Sequence, residues 1–364
     1  MKILHTEASA GWGGQELRIL SEMQGLRMRG HQLELAAPAG ARIHAEAMAL
    51  GFRVHDAPLA RKGLRGLLAM RQLLAGKPFD VVNTHSSTDT WLVALANATL
   101  SQPVPLVRTR HISAPVPRNR ATRWLYDQAC AAVVTTGEKL RQELVEHNGF
   151  IRVPIRSVPT GIDPARFQPG DCKQARSELQ MAPLFTIGIL ATLRSWKGHR
   201  FLIEAFAALR ANGRPMQLLV VGDGPQRQAL VQQVASAGLA DAVHFAGHDP
   251  SPERWLRAMD LFVLPSYANE GVPQALMQAM MTGLPCITTD VGAIGEVAFD
   301  GKTALLVPPQ DSAALTEALV RLIDSPSLRE GLGRQARAFA LSQCTLVAMC
   351  DAMEQVFQRA QAAN

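Results

Sequence analysis

The chain has 364 residues, 47% of them hydrophobic and 19% charged, with a formal net charge of +6. That length exceeds one comfortable core and predicts two domains of ordinary size. No run approaches ~20 uninterrupted apolar residues, which excludes a helical membrane span, and the start MKILHTEAS reads as a strand and not as a signal peptide. The five cysteines, without any C-x-x-C pair, argue against a disulfide framework or a zinc site and predict reduced thiols in a cytoplasmic protein.

In the first half, strand-like runs at Lys2 to Thr6, Gln32 to Ala37, Val81 to Thr84, Val104 to Thr109, Ala131 to Thr135 and Ile155 to Val158 alternate with helix-length segments. That is the pattern of one doubly wound parallel-sheet domain, residues 1–160. After the first run, GWGGQE sets Gly11, Gly13 and Gly14 ahead of a helix, where glycine lets backbone approach a ligand. Glu16 stands where a dinucleotide fingerprint needs its third glycine, and Arg227 breaks the pattern in GDGPQR likewise. Asp223 there reads as a turn or capping residue. His85 and His111 each fall at a strand's carboxyl end, where an α/β fold gathers its functional groups.

The stretch VPTGIDPARFQPGD, residues 158–171, clusters Gly, Pro and Asp and predicts the interdomain linker. A second alternating series follows through Phe185, Gln217 to Val221, Leu261 to Leu264, Cys286 to Thr289 and Ala304 to Val307, giving a second domain at 170–340. Helical patterns fill most of 311–364. In this half, ATLRSWKGH places Arg194 and Lys197 in a loop between a strand and a helix, a setting suited to a diphosphate. Beyond Leu264, Glu270 sits in a loop, and Gly271, Val272 and Pro273 are expected to open a helix that carries Gln278 and stops near Gly283.

Charge is uneven: residues 1–160 carry 20 Lys and Arg against 12 Asp and Glu. Arg61, Lys62, Arg65 and Arg71 form one group, and Arg108, Arg110, Arg118, Arg120 and Arg123 a second. These basic residues are not interleaved with stacking aromatics, which turns the reading away from nucleic acid. An anionic membrane surface or a phosphorylated acceptor fits better, although a general bias toward arginine accounts for part of the excess.

The run from Asp260 to Pro309, with Glu270 and a polar residue eight positions on, resembles the donor-binding core of family 4 retaining glycosyltransferases of the GT-B type, whose signature is Glu, seven residues, Glu. Here the second position is Gln278, which offers ribose one acceptor and one donor instead of a carboxylate's acceptors. The resemblance implies an α/β fold of two Rossmann-like domains facing across a cleft, acceptor domain first and donor domain second, with a last helix of about 345–360 returning to the first domain. It implies that Glu270 contacts the transferred sugar, that Gln278 takes the ribose, and that Arg194, Lys197, Gly271 and Val272 hold the diphosphate. Gly14 would lie beside the donor phosphates, Gly13, Glu16 and His85 on the acceptor side, and His111 against the sugar. Phe245, in VHFAGH, falls where the family binds the base.

The expected activity is retaining transfer of a hexosyl-type unit from a nucleoside-diphosphate sugar to a glycan or lipid-linked acceptor, in cell-surface polysaccharide or lipopolysaccharide synthesis. No metal or other cofactor is expected, since no acidic metal-binding motif is recognisable. Peripheral contact with the inner face of the membrane is expected. Two rivals stand beside this reading: a nucleotide-sugar epimerase or glycosyl phosphorylase of the same architecture, and an inactive nucleotide-sugar-binding scaffold, suggested by Gln278.

Overall fold

The computed structural model describes residues 1–111, 114–268 and 270–363. It divides into two compact units, Met1–Gly161 with Leu346–Asn364, and Ile162–Thr345.

The first unit holds a seven-stranded sheet of β1 (Lys2–Thr6), β2 (Gln32–Ala37), β3 (Arg53–Asp56), β4 (Val81–Thr84), β5 (Leu106–Arg110), β6 (Ala132–Thr135) and β7 (Ile155–Ser157), in the order β3-β2-β1-β4-β5-β6-β7. Every pairing is parallel, and helices cover both faces, so successive strand residues feed opposite cores. Ile3, Leu35, Val81 and Val107 join one cluster, while Leu4, Ala36, Val82 and Leu106 join the other.

The helix Leu346–Ala362 belongs to this unit and supplies Met349, Cys350, Met353, Val356, Phe357 and Ala360 to the first cluster. Those positions recur with helical spacing and form one apolar stripe. It crosses the helix Gly14–Met28 at Gly25, where a Cβ would overlap the Cys350 sulfur. Ion pairs from Arg29 to Asp351 and Glu354 flank the crossing.

The second unit holds β8 (Phe185–Leu190), β9 (Met216–Val221), β10 (Val243–Gly247), β11 (Leu261–Leu264), β12 (Cys286–Thr288) and β13 (Leu305–Leu306), ordered β10-β9-β8-β11-β12-β13 and again all parallel. Both units are therefore Rossmann-like. In such sheets ligands gather at the carboxyl ends of the two strands where the strand order reverses. Those strands are β1 and β4 in one unit and β8 and β11 in the other.

Two strands lie outside the two predicted series. β3 reads Arg-Val-His-Asp and is half-exposed at the sheet edge, so it carries no hydrophobic run. β10 is likewise an edge strand with partly exposed residues. Cys130, Cys286, Cys344 and Cys350 are buried, and all five cysteines are unpaired thiols; burial pushes the Cys350 thiol up to about 12.

Candidate functional site

In the second unit, the loop after β8 contains a short 3-10 turn, Ser195–Lys197, that ends on Gly198 with φ 76°. A side chain at Gly198 would overlap the carbonyl oxygen of Pro265, in the loop after β11, so the two loops need a glycine at this crossing. Tyr267 N donates to Trp196 O at 2.8 Å, and the Phe201 and Tyr267 rings meet edge to face. The two loops thus form one rigid ledge. On it, Lys197 Nζ donates to Glu270 Oε1 at 2.6 Å, and Ser266 Oγ donates to the same oxygen at 2.6 Å. Glu270 is 4% exposed. A carboxylate buried this far is tolerable because a cation and a hydroxyl face it.

Arg194, in the same loop as Lys197, is exposed, its guanidinium 5.2 Å from the Trp196 ring centroid, and among the described residues it makes no ion pair. The loop that holds it rests on the GDGP turn: Leu193 N donates to Asp223 O, and side chains at Gly222 or Gly224 would run into the backbone of Ala191 and Leu193. Behind Glu270, Thr289 Oγ1 donates to Ser266 O at 2.6 Å, and Ala293 N donates to Glu270 O at 3.3 Å. Gly292, at φ 64°, lets that backbone approach, since its Cβ would overlap the Glu270 carbonyl oxygen.

The helix after Glu270 differs from expectation. It spans Gln274–Thr282, and Pro273 is its extended N-cap with ψ 122°. Gly271 and Val272 therefore precede the helix and do not open it. The reason is steric, because the residue before a proline is driven out of the α region. The helix ends at Gly283 with φ 82°, as the sequence suggests. Gln278 lies in it, half-buried, and among the described residues its carboxamide makes no hydrogen bond. Phe245, in β10, stands half-buried with the Arg227 guanidinium 5.9 Å from its ring centroid.

In the first unit, Gly13 is the extended N-cap of the helix Gly14–Met28, and Glu16 is buried in its first turn, where desolvation pushes its carboxyl up. At the ends of β1 and β4, Glu7 is fully buried and accepts from Ser86 Oγ, Gln15 Nε2 and the backbone of Ser9. Next to it Asp89 caps the following helix through the backbone N–H groups of His85 and Ser86. Burial, with the Glu7 charge nearby, pushes Asp89 up to about 7.

His85 is 1% exposed and lies between two other histidines, its Nε2 2.9 Å from His5 Nδ1 and its Nδ1 2.9 Å from His111 Nε2. Both of its ring nitrogens are engaged by these two neighbours. His111 is the member of the three that keeps exposed surface. Arg108 and Arg110 correct an expectation: they are buried along β5, Arg108 bonded to Ser86 O and Thr90 Oγ1, Arg110 to Ala114 O and Tyr126. Their residue type suggests surface, but their alternation within β5 turns both inward. Arg118, Arg120 and Arg123 remain exposed, as do Arg61, Lys62, Arg65 and Arg71.

Sequence reasoning missed His5, Glu7, Ser266 and Gly292. The first two were legible as polar residues at a strand's carboxyl end, whereas Ser266 and Gly292 act only through contacts far apart in the chain. Among the described residues, no group of three or more His, Cys, Asp and Glu is arranged to hold a metal ion.

Two Rossmann-like units, with a cation-carboxylate ledge at the reversal point of the second, define the GT-B class of glycosyltransferases. The family description "Glycosyl transferases group 1" matches residues 184–325, and "Glycosyltransferase Family 4" matches residues 12–166. The lipopolysaccharide core biosynthesis mannosyltransferase LpsB of Rhizobium meliloti is 30% identical over 77% of this chain and 80% of its own length. The D-inositol 3-phosphate glycosyltransferase of Nocardia farcinica is 34% identical over 65% of this chain, and the match spans 57% of that enzyme. In structure, Anabaena HepE in complex with UDP superposes with a TM-score of 0.86 at 20% identity, covering 98% of this chain and 100% of HepE. The chain belongs to the family 4 glycosyltransferases.

Proposed function

We propose that the chain is a retaining enzyme that moves a hexosyl-type unit from a nucleoside-diphosphate sugar to a glycan or lipid-linked acceptor, in the synthesis of cell-surface polysaccharide or lipopolysaccharide. The observation that carries this reading is the buried Glu270, clamped by Lys197 and Ser266 at the carboxyl ends of β8 and β11, with an exposed Arg194 in the same loop as Lys197. In this reading Arg194 and Lys197 take the diphosphate and balance the charge that grows on it as it leaves. Glu270 orients the sugar, Gln278 contacts the ribose, Phe245 borders the base, and His111 touches a substrate hydroxyl. The acceptor oxygen bonds to the anomeric carbon on the face from which the phosphate oxygen departs, and that phosphate oxygen takes the acceptor's proton. That HepE is solved with UDP-glucose supports a nucleotide-sugar donor, and the inositol-phosphate and lipopolysaccharide relatives support a phosphorylated or lipid-linked acceptor.

The acceptor reading extends to a membrane surface. In the helix Leu64–Gly76, Leu64 and Leu68 stand one turn apart and are 77% and 60% exposed, with Arg61, Lys62 and Arg65 exposed around them. Apolar side chains rimmed by cations suit an anionic bilayer. No helix among the described residues is long and apolar enough to cross one.

A thermal-shift screen of nucleotide sugars tests the donor, since a ligand at a hundredfold excess over its Kd adds about 2.7 kcal/mol of stability. Labelled donor is then incubated with and without acceptor extracts. Transfer that Glu270→Ala abolishes is the expected result; a sugar altered without acceptor marks an epimerase, and binding without turnover on any acceptor marks a scaffold. Failure to bind anionic vesicles at low salt, with activity unchanged by charge reversal at Arg61 and Lys62, would remove the membrane face.

A further inference from the structure

The three histidines of the first unit form a continuous hydrogen-bonded chain. His5 and His85 stack with ring centroids 5.2 Å apart at 10°, and His85 and His111 lie 5.2 Å apart at 33°. Their contacts run His5 Nδ1 to His85 Nε2 and His85 Nδ1 to His111 Nε2, each 2.9 Å. Burial holds all three rings below their ordinary range, His5 at about 3, with His85 and His111 lowered further by the nearby Arg18 and Arg108 charges. Each ring is therefore neutral near pH 7, with one N–H and one lone pair.

Two hydrogen bonds among three neutral rings allow only two proton arrangements. In one, every ring carries its proton on Nδ1, and in the other every ring carries it on Nε2. The inner end decides between them. Among the described residues His5 Nε2 is buried without a partner, beside the edge-to-face ring of Phe357 from the last helix. The Nε2-protonated chain would leave an orphaned N–H there, whereas the Nδ1-protonated chain leaves only an unused lone pair, and buried orphan donors are the rarer of the two.

We propose that His5 and His85 are positioning residues that lock His111 in its Nδ1-protonated tautomer, so that His111 offers substrate a hydrogen-bond donor. The tautomer stands on the geometry of the first unit alone; its use toward substrate rests on the function proposed above. The rule is the one that governs histidines elsewhere: the partner of one ring nitrogen sets what the other presents.

Nitrogen-15 NMR of the full-length chain with labelled histidine tests the lock without any substrate, His111 being assigned by the signal lost in His111→Gln. The expected spectrum at pH 7.5 shows His111 with a protonated Nδ1 and an unprotonated Nε2. A protonated Nε2, or averaged signals from a mixture, overturns the proposal. Two near-isosteric variants test the coupling: His85→Asn supplies an N–H at the Nδ1 position and preserves the His111 tautomer, while the carboxylate of His85→Asp accepts from Nε2–H and inverts it. If both leave His111 unchanged, His85 does not set it. With a donor found by the screen, His85→Asp is expected to lower kcat about tenfold or more at unchanged donor KM, as wrong-tautomer variants do, and His85→Asn to recover most of it. A locked tautomer in a protein that turns over no donor would refute the function and leave the lock standing.

Discussion

Lys197 Nζ and Glu270 Oε1 are 2.6 Å apart across two loops that follow different strands, and Ser266 bonds the same oxygen. One carboxylate oxygen is thus engaged twice by protein, while among the described residues the second accepts no hydrogen bond. Fixed polar groups of this kind contribute most when they need no reorganisation at the moment of reaction. Lys197→Met and Glu270→Gln are each expected to lower kcat/KM by about a hundredfold or more. The double variant should lose far less than the product of the two, because the partners act as one unit. Multiplicative losses in the double-mutant cycle would show that the contact has no part in turnover.

Much of this ledge was legible in the sequence and part of it was not. The strands β8, β9, β11 and β12 are mostly apolar runs, as parallel strands buried on both faces tend to be, so composition and length reveal them. Arg194 and Lys197 stand out by their place in a strand-loop-helix setting, and Glu270 by the resemblance of its run to the family signature. The edge strand β3 has no such run, because a strand with one neighbour and a solvated face needs none. Arg108 and Arg110 mislead for the opposite reason: their charge suggests solvent, and only the register of β5 shows both turned inward onto specific acceptors. The histidine chain joins residues 80 and 26 positions apart, which no local pattern exposes.

The backbone behind Glu270 gives a prediction that separates support from chemistry. Gly292 has φ 64°, and its Cβ would overlap the Glu270 carbonyl oxygen. Gly292→Ala therefore incurs the left-handed strain of about 1–3 kcal/mol and pushes the Glu270 loop away from Lys197. A lower melting temperature together with lost activity is expected. Gly301, also at positive φ but with nothing near its Cβ, is the control: Gly301→Ala should lower stability through backbone strain alone and spare turnover. Equal activity losses in the two variants would mean that the approach of Gly292 to Glu270 is irrelevant.

Gln278 decides how the nucleotide is held. If its carboxamide meets the ribose hydroxyls, as proposed, Gln278→Glu substitutes two acceptors for one acceptor and one donor while keeping the shape. The change is expected in donor KM, by about threefold to thirtyfold for one rearranged hydrogen bond, with kcat retained. Gln278→Ala should raise KM at least as much. A kcat that falls with donor KM unmoved in both variants would take Gln278 out of the nucleotide contact.

His199 opens the helix that follows Lys197 and is 2% exposed, yet among the described residues neither of its ring nitrogens has a hydrogen-bond partner. Burial, with the Lys197 charge nearby, lowers it from 6.5 to about 3. The folded protein therefore holds this ring neutral across a range in which the unfolded chain protonates it. Below pH 6.5 the unfolded state binds the extra proton, so stability falls as pH falls, and the loss continues down to the folded value near 3. His199→Leu removes both the titration and two unpartnered polar atoms from a buried position of similar volume. At pH 7.5 the variant should be at least as stable as the parent, since an apolar side chain leaves no buried polar group unpaired. Below pH 6.5 its advantage should grow by about 1.4 kcal/mol per pH unit. Every other titrating group is common to both proteins, so the difference between their urea-melt profiles isolates this one ring. A difference that stays flat between pH 7.5 and pH 4.5 would show that His199 takes up its proton in the folded state and is not held neutral by burial.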